Sequence, residues 1–293
     1  MERIKQALEK ARQQSVGATP AAPAAPAHPP EMSAPAAPVP APAAQQPEDA
    51  LVSGVIEVNY TRTEVVRLDR ATLERNRIVA FEKTNPDNWA YDVLRTQVLQ
   101  KMDEKGWRTL AITSPTVGSG KTVTAINLAI SIAHHTQRTA MLVDFDLRRP
   151  RVGAYLGVRK KPSLSEVLTG KAQLADALVN PDLPRLVVLP TSSPVPHAAE
   201  VLSSVVVRSM VTDLRERYAD RIVIFDLPPV MAGDDVMAML PSVDAVLLVV
   251  GNGDSTRKEI EESMRHLPPE QLLGVVLNKA EAEVRRGYGY GYY

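Results

Sequence analysis

Thr109-Leu110-Ala111-Ile112-Thr113-Ser114-Pro115-Thr116-Val117-Gly118-Ser119-Gly120-Lys121-Thr122 is the stretch on which the fold turns. A short apolar run gives way to small residues, two glycines and Lys-Thr, and a helical apolar period opens behind it as far as His135. Gly118 and Gly120 let the backbone curl around Ser119, so that successive N–H groups converge on phosphate oxygens. The start of the helix adds the positive end of its dipole. Lys121 can place an ammonium on the β- and γ-phosphates of a nucleotide, and the Thr122 hydroxyl can ligand Mg²⁺. Pro115 stands where the usual pattern has its first glycine, so the loop is a variant.

Outward from this loop, short apolar runs alternate with helical periods. Thr109–Thr113, Ala140–Asp144, Leu186–Pro190, Ile222–Asp226, Ala245–Val250 and Leu273–Asn278 read as strands. Lys121–His135, Ala199–Tyr218 and Ser255–His266 read as helices. Apolar strands separated by helices predict an α/β fold, a parallel sheet with helices on both faces. Ligands in that architecture sit at the carboxyl ends of the strands. Two more motifs fall there. Met141-Leu142-Val143-Asp144-Phe145-Asp146-Leu147-Arg148-Arg149-Pro150 carries two carboxylates two residues apart, and Ile222-Val223-Ile224-Phe225-Asp226-Leu227-Pro228-Pro229 ends a strand on a third. Beside a phosphate loop, Asp144, Asp146 and Asp226 suit a catalytic or metal-shell role, because Mg²⁺·ATP needs hard oxygen ligands.

The chain has 293 residues, no cysteine, 24 prolines, and 34 basic against 34 acidic residues. Without cysteine there is no disulfide, thiolate metal site or thiol nucleophile. Zero net charge argues against non-specific nucleic-acid binding. No apolar run approaches the roughly 18 residues that span a bilayer, and Met1-Glu2-Arg3-Ile4-Lys5 does not open a signal peptide; a soluble, cytoplasmic protein is expected. Ten prolines fall between Ala18 and Ala50, which predicts a disordered Pro/Ala-rich linker over residues 1–50 behind a short basic helix, Met1–Gln14. Within the folded part, Val55–Val58 and Thr63–Leu68 read as short strands and Ala71–Val79 as a short helix. Residues 280–293 are expected to be a disordered tail, Gly287-Tyr288-Gly289-Tyr290-Gly291-Tyr292-Tyr293, which holds half of the eight tyrosines.

From about Asn85 to Lys279 the sequence resembles the bacterial tyrosine autokinases of polysaccharide export in their stand-alone form, within the P-loop superfamily of the partitioning and septum-placing ATPases. The likeness rests on the phosphate loop, Asp144–Pro150, Leu164-Ser165-Glu166-Val167-Leu168-Thr169-Gly170, Ala199-Glu200-Val201-Leu202-Ser203-Ser204, Asp226-Leu227-Pro228-Pro229-Val230 and the tyrosine tail. It implies a catalytic domain over residues 51–279 that uses ATP and Mg²⁺. Lys121 and Thr122 would hold the phosphates and the metal. Asp144 would orient or deprotonate a tyrosine hydroxyl, Asp146 and Asp226 would organise the metal, and Asn278 would contact the adenine. Tyr288, Tyr290, Tyr292 and Tyr293 would be the autophosphorylation sites. A membrane-embedded chain-length or co-polymerase adaptor would be the activating partner, recruiting the kinase to the inner face of the plasma membrane, with homo-oligomers a further expectation. Each phosphate adds about −1.5 to −2 charges, so a phosphorylated tail should be expelled from the site and loosen an oligomer.

Departures narrow the resemblance. The partitioning ATPases carry a second lysine early in the loop, where this chain has Thr116. The kinases' ring-forming helix carries Glu, Arg and Arg, where this chain has Trp89, Asp92 and Arg95. Trp89 and Tyr91 are expected as core or apolar contacts. His134 and His135 suit a helix end. Arg148, Arg149, Arg151 and Arg159-Lys160-Lys161 form a basic stretch fit for an acidic partner, incoming phosphotyrosines or solvent. An ATPase switch and a nucleotide-holding scaffold stay open as alternative functions.

Overall fold

The computed structural model describes residues 63–135 and 137–280. The Met1–Gln14 segment, the Pro/Ala-rich arm, Val55–Val58 and the tyrosine tail lie outside the described residues. Eight strands form one sheet: β1 (Glu64–Val65), β2 (Thr109–Thr113), β3 (Thr139–Asp144), β4 (Val179–Asn180), β5 (Leu186–Leu189), β6 (Arg221–Asp226), β7 (Ala245–Gly251) and β8 (Leu272–Asn278). Their order across the sheet is β1-β4-β5-β3-β6-β2-β7-β8. Every neighbouring pair is parallel except β4 with β5.

That exception is the one departure from the expected parallel sheet. A two-residue strand is too short to leave a periodic signal, and its reversal is held by a side chain. Asn180 Nδ2 donates to the carbonyls of Leu183 (2.7 Å) and Leu186 (2.9 Å), which closes a tight turn into β5. The expected Thr63–Leu68 strand contributes only Glu64 and Val65 to the ladder.

The central strands β2, β3, β5, β6 and β7 are buried along their whole length, and successive residues feed opposite cores. Leu110, Ile112, Leu142 and Ile224 face one cluster, and Ala111, Met141, Val143 and Val223 the other. The longer helices are α1 (Asn88–Lys105), α2 (Lys121–His134), α3 (Val205–Glu216) and α4 (Arg257–Arg265). α2 packs in the first core, α3 in the second.

Eleven of the fourteen residues of α2 are buried, so its polar residues must find partners inside the protein. Asn127 accepts from the Ala80 N–H (2.8 Å) and donates to the carbonyls of Arg77 (3.0 Å) and Val123 (2.9 Å), pinning the segment that follows a short helix, Arg70–Arg75, onto α2. That helix stops earlier than expected because Arg77 turns to a positive φ of 58°. Asp69 caps its start, accepting from the Thr72 N–H at 3.0 Å. His134 meets the Ala80 carbonyl at 3.1 Å. Ser131 donates to Asp92 (2.9 Å), and Arg95 joins the same knot at 2.7 Å from the Asp92 carboxylate. Asp92 and Arg95 are therefore engaged within the chain. Tyr91 is half-buried, whereas Trp89 is 64% exposed, so of the two expected places, core or apolar contact, the core is ruled out for Trp89. The anticipated single helix over Ala199–Tyr218 is broken into Ala198–Leu202 and α3, because Ser204 turns its hydroxyl to cap the Val207 N–H.

Asp244 clamps the amino ends of β2 and β7. Its carboxylate accepts from the N–H of Arg108 (2.9 Å) and Thr109 (3.0 Å) and from the Thr109 hydroxyl (2.9 Å), and lies 3.1 Å from Arg215 of α3. Asp244→Ala strands these donors in a poorly solvated place. It should lower unfolding free energy by about 2–3 kcal/mol in urea denaturation, with little change in nucleotide affinity, since the clamp sits at the opposite edge from the carboxyl ends of the strands.

Candidate active site

The loop between β2 and α2 is shaped by two left-handed glycines, Gly118 (φ 96°) and Gly120 (φ 87°). A side chain at 120 would also run into the amide of Asn278. On the neighbouring β7, a Cβ at Gly251 would come within 2.9 Å of the Ser119 Cα. The loop is tied to the segment after β6 by the Thr113 hydroxyl donating to the Pro228 carbonyl (2.6 Å) and by the Val230 N–H donating to that of Ser114 (2.8 Å). Thr116 lies 2.7 Å, hydroxyl to hydroxyl, from Ser255.

The acids arrive by strand register. Asp144 pairs directly with Asp226 across β3 and β6. The Phe145 N–H donates to the Asp226 carbonyl (2.9 Å), and the Phe145 and Phe225 rings stack with centroids 5.1 Å apart. These contacts fix the two strand ends, and with them the acids. Lys121 Nζ lies 2.9 Å from Asp146 and 3.5 Å from Asp226, while the Thr122 hydroxyl donates to Asp226 at 2.7 Å. Asp146 also accepts from the Arg149 N–H (3.0 Å), and Asp144 from the Val152 N–H (3.0 Å).

Burial and mutual repulsion dominate the electrostatics. Asp144 and Asp226 are fully buried. The Asp144 carboxyl is pushed well above its usual range by burial and then by the Asp226 charge. Burial also raises Asp226, against the pull of Lys121 and the Thr122 hydroxyl. Burial opposes the charge on Lys121, but Asp226 and Asp146 outweigh it and hold the ammonium above its normal pKa.

A cavity of about 530 Å³ opens beside this cluster. It is lined by Gly118, Gly120, Lys121, Thr122 and Asp146 and also by Arg149, Arg151 and Tyr155. Ser119 is buried within the loop, and Asp144 and Asp226 lie behind the cavity wall. Asn278, at the end of β8, donates from Nδ2 to the Ser119 carbonyl at 3.0 Å, so its side chain braces the loop. Tyr288, Tyr290, Tyr292 and Tyr293 lie outside the described residues. Sequence reasoning missed Tyr155. It also missed the Arg148 pairing, Nε to both oxygens of buried Asp235 at 2.8 and 3.1 Å. The signal for both was position: each follows closely on the Asp144–Asp146 strand end.

The donor set fits Mg²⁺. Thr122, Asp146 and Asp226 offer hard oxygens, and one oxygen each of Asp144 and Asp226 is buried with no hydrogen-bond donor. Among the described residues no three carboxylates or imidazoles form a closed metal cage. Mg²⁺ does not require one, since it takes one or two carboxylates and completes its shell with water and phosphate.

Loop, lysine and acids at the carboxyl edge of a parallel sheet make this a P-loop nucleotide-binding domain. Known proteins carry the assignment further. A family profile described as "AAA domain" matches residues 107–262, more than half of the chain. Tyrosine-protein kinase CpsD of Streptococcus pneumoniae serotype 4 is 32% identical over 202 residues, covering 68% of this chain and 86% of that protein. Tyrosine-protein kinase YwqD of Bacillus subtilis (strain 168) is 29% identical over 221 residues, 74% of this chain and 92% of that one. The kinase domain of Escherichia coli tyrosine kinase ETK superposes with a TM-score of 0.64 at 27% identity, over 78% of this chain and 94% of that domain. The chain belongs to this family of bacterial tyrosine-protein kinases.

The buried acids set a stability cost that pH should reveal. An acid whose folded pKa lies above its unfolded value, here about 3.8, keeps its proton longer in the fold, so stability falls as pH rises between the two. Asp144→Asn removes that penalty and keeps an acceptor for the Val152 N–H. In the absence of nucleotide its melting temperature should exceed that of the parent, by about 2–4 °C per kcal/mol recovered. Thermal melts should show a larger gain at pH 8 than at pH 5.

Proposed function

We propose that the chain is an ATP-dependent autokinase that phosphorylates Tyr288, Tyr290, Tyr292 and Tyr293 of its own tail, in cis or on a neighbouring copy, and so regulates exopolysaccharide or capsule synthesis. One observation carries the reading: the root of the tail is fastened to the phosphate loop. Asn278 donates to Ser119 of that loop, and the next residue, Lys279, lies 2.8 Å from Asp254, beside the turn that follows β7. From Lys279 the fourteen residues to Tyr293 span at most about 50 Å, ample for the adjacent cavity.

In this reading Gly118, Ser119, Gly120 and the start of α2 cradle the ATP phosphates, and Asn278 stands near the base. Bound Mg²⁺, held by Thr122, Asp146 and Asp226, would neutralise charge on the phosphates. Lys121 adds a cation at the same place. The tyrosine oxygen forms the new bond to phosphorus, the bond to the bridging oxygen breaks, and ADP leaves. The phenol proton passes to the Asp144–Asp146 pair. Burial makes Asp144 a better proton acceptor than an ordinary carboxylate, and Asp146 is the member at the cavity wall. Positioning and charge neutralisation contribute more than the base, because phosphoryl transfer is loose. A membrane-embedded polysaccharide adaptor is the proposed activator, with the Met1–Gln14 segment as one candidate contact.

Incubation of the purified chain with Mg·ATP, followed by assays for phosphotyrosine and released phosphate, tests the proposal. Lys121→Ala should lower phosphotyrosine formation by about 10²–10³-fold. Replacing the four tail tyrosines by phenylalanine should abolish it while nucleotide still binds. Phosphate release without phosphotyrosine would mark an ATPase switch. Neither product, even with the adaptor's cytoplasmic segment present, would mark a scaffold.

A further inference from the structure

A second cavity, of about 890 Å³, lies beside the helix Val152–Leu156 that also borders the first. Arg151 and Tyr155 face the catalytic cavity, whereas Gly153, Ala154 and Gly157 line the other. The second cavity lies at the same carboxyl edge of the sheet, lined by Pro150, six residues past the end of β3, and by Pro190, the residue after β5. Its walls combine two chemistries. Arg159, Lys160 and Lys161 supply cations, and among the described residues no carboxylate lines it. Lys160 is paired with Glu64 at 2.6 Å. Among the described residues no carboxylate pairs with Arg159 or Lys161, and both are exposed. Pro150, Val158 and Pro190 supply apolar surface, and the Ser192 hydroxyl, 2.7 Å from that of Ser163, adds a polar edge.

We infer that this groove binds phosphotyrosine, and that its ligand is the phosphorylated tail of this chain or of a second copy. An inorganic phosphate would need only the cations. A phosphotyrosine presents a flat apolar ring beside a dianion, which matches apolar walls next to unpaired basic groups. The tail is also within range. It leaves β8 at the carboxyl edge, five strand positions from β5, or about 24 Å at about 4.8 Å per strand. Tyr288 is nine residues past Lys279, a reach of about 30 Å. The catalytic cavity borders the same Val152–Leu156 helix, so one tyrosine docked in the groove keeps the others, at most five residues away, within reach of it. A product tyrosine repelled from the nucleotide is thereby retained for further rounds.

The inference rests on the tail being the kinase's substrate, yet its test is independent of activity. The probe is a synthetic peptide of residues 284–293, phosphorylated chemically at Tyr288 and Tyr290. The receptor is the full chain with its four tail tyrosines replaced by phenylalanine. Fluorescence anisotropy should show the phosphopeptide binding at least about tenfold more tightly than the unphosphorylated peptide. The double variant Arg159→Glu, Lys161→Glu should weaken it by about tenfold or more, and the Arg159→Gln, Lys161→Gln pair by less, with Mg·ADP affinity unchanged in both. Several results would overturn the inference: equal affinity for the two peptides, binding indifferent to both double variants, displacement by Mg·ADP, or equal binding of a peptide with glutamates in place of the phosphotyrosines. The last would make the groove a general acidic-partner surface. Phosphopeptide binding, together with a parent chain that forms no phosphotyrosine even with the adaptor's cytoplasmic segment present, would leave the groove standing and refute the autokinase.

Discussion

Everything at the carboxyl edge of the sheet depends on one arrangement of charge: the Lys121 ammonium held between Asp146 and Asp226, with Asp144 buried behind them. Three carboxylates this close repel one another, and two of them have lost their water. The lysine, the Thr122 hydroxyl and two backbone N–H groups keep the group together. Such a cluster is costly to maintain in a resting fold and suited to receiving a nucleotide with its cation. The stacked Phe145 and Phe225 rings and the direct Asp144–Asp226 register supply the rigidity that keeps the repulsion from opening the strands.

The rest of the architecture exists to deliver these side chains. Five strands buried on both faces, of which β2, β3 and β6 end at the phosphate loop or at an acid, give the site a stiff base. α2 is its central strut, buried nearly all round and bound by Asn127 to the segment that follows Arg70–Arg75. That segment, remote in sequence, therefore bears on the helix that opens at Lys121. The knot of Asp92, Arg95 and Ser131 secures α1 to the same strut, leaving Trp89 on the outer face.

Much of this was legible in the sequence because it depends on strong local signals. The glycines at 118 and 120, the Lys-Thr pair and the acids closing apolar runs have few other uses in that order, and six strands read from apolar runs are present. What escaped was set by single side chains acting across distance. Asn180 reverses the chain into β5 and makes one strand pair antiparallel, with no periodicity to announce it. Ser204 breaks a helix that its apolar pattern would continue. Tyr155 lines the cavity only because a short helix after β3 turns it there, and one aromatic in such a helix looks like core. Asn278 was read as a contact for a base; its position was legible, but its bond to the Ser119 carbonyl depends on a neighbouring strand.

That bond has a mechanical side. Asn278 fits against the phosphate loop only because residue 120 has no side chain to exclude it. The shape of the phosphate loop and the seat of the end of β8 are thus one constraint. The end of β8 is held there twice, by the Asn278 amide and by the Lys279–Asp254 ion pair. A side chain at 120 would push Asn278 off the Ser119 carbonyl and loosen the end of β8 from the loop.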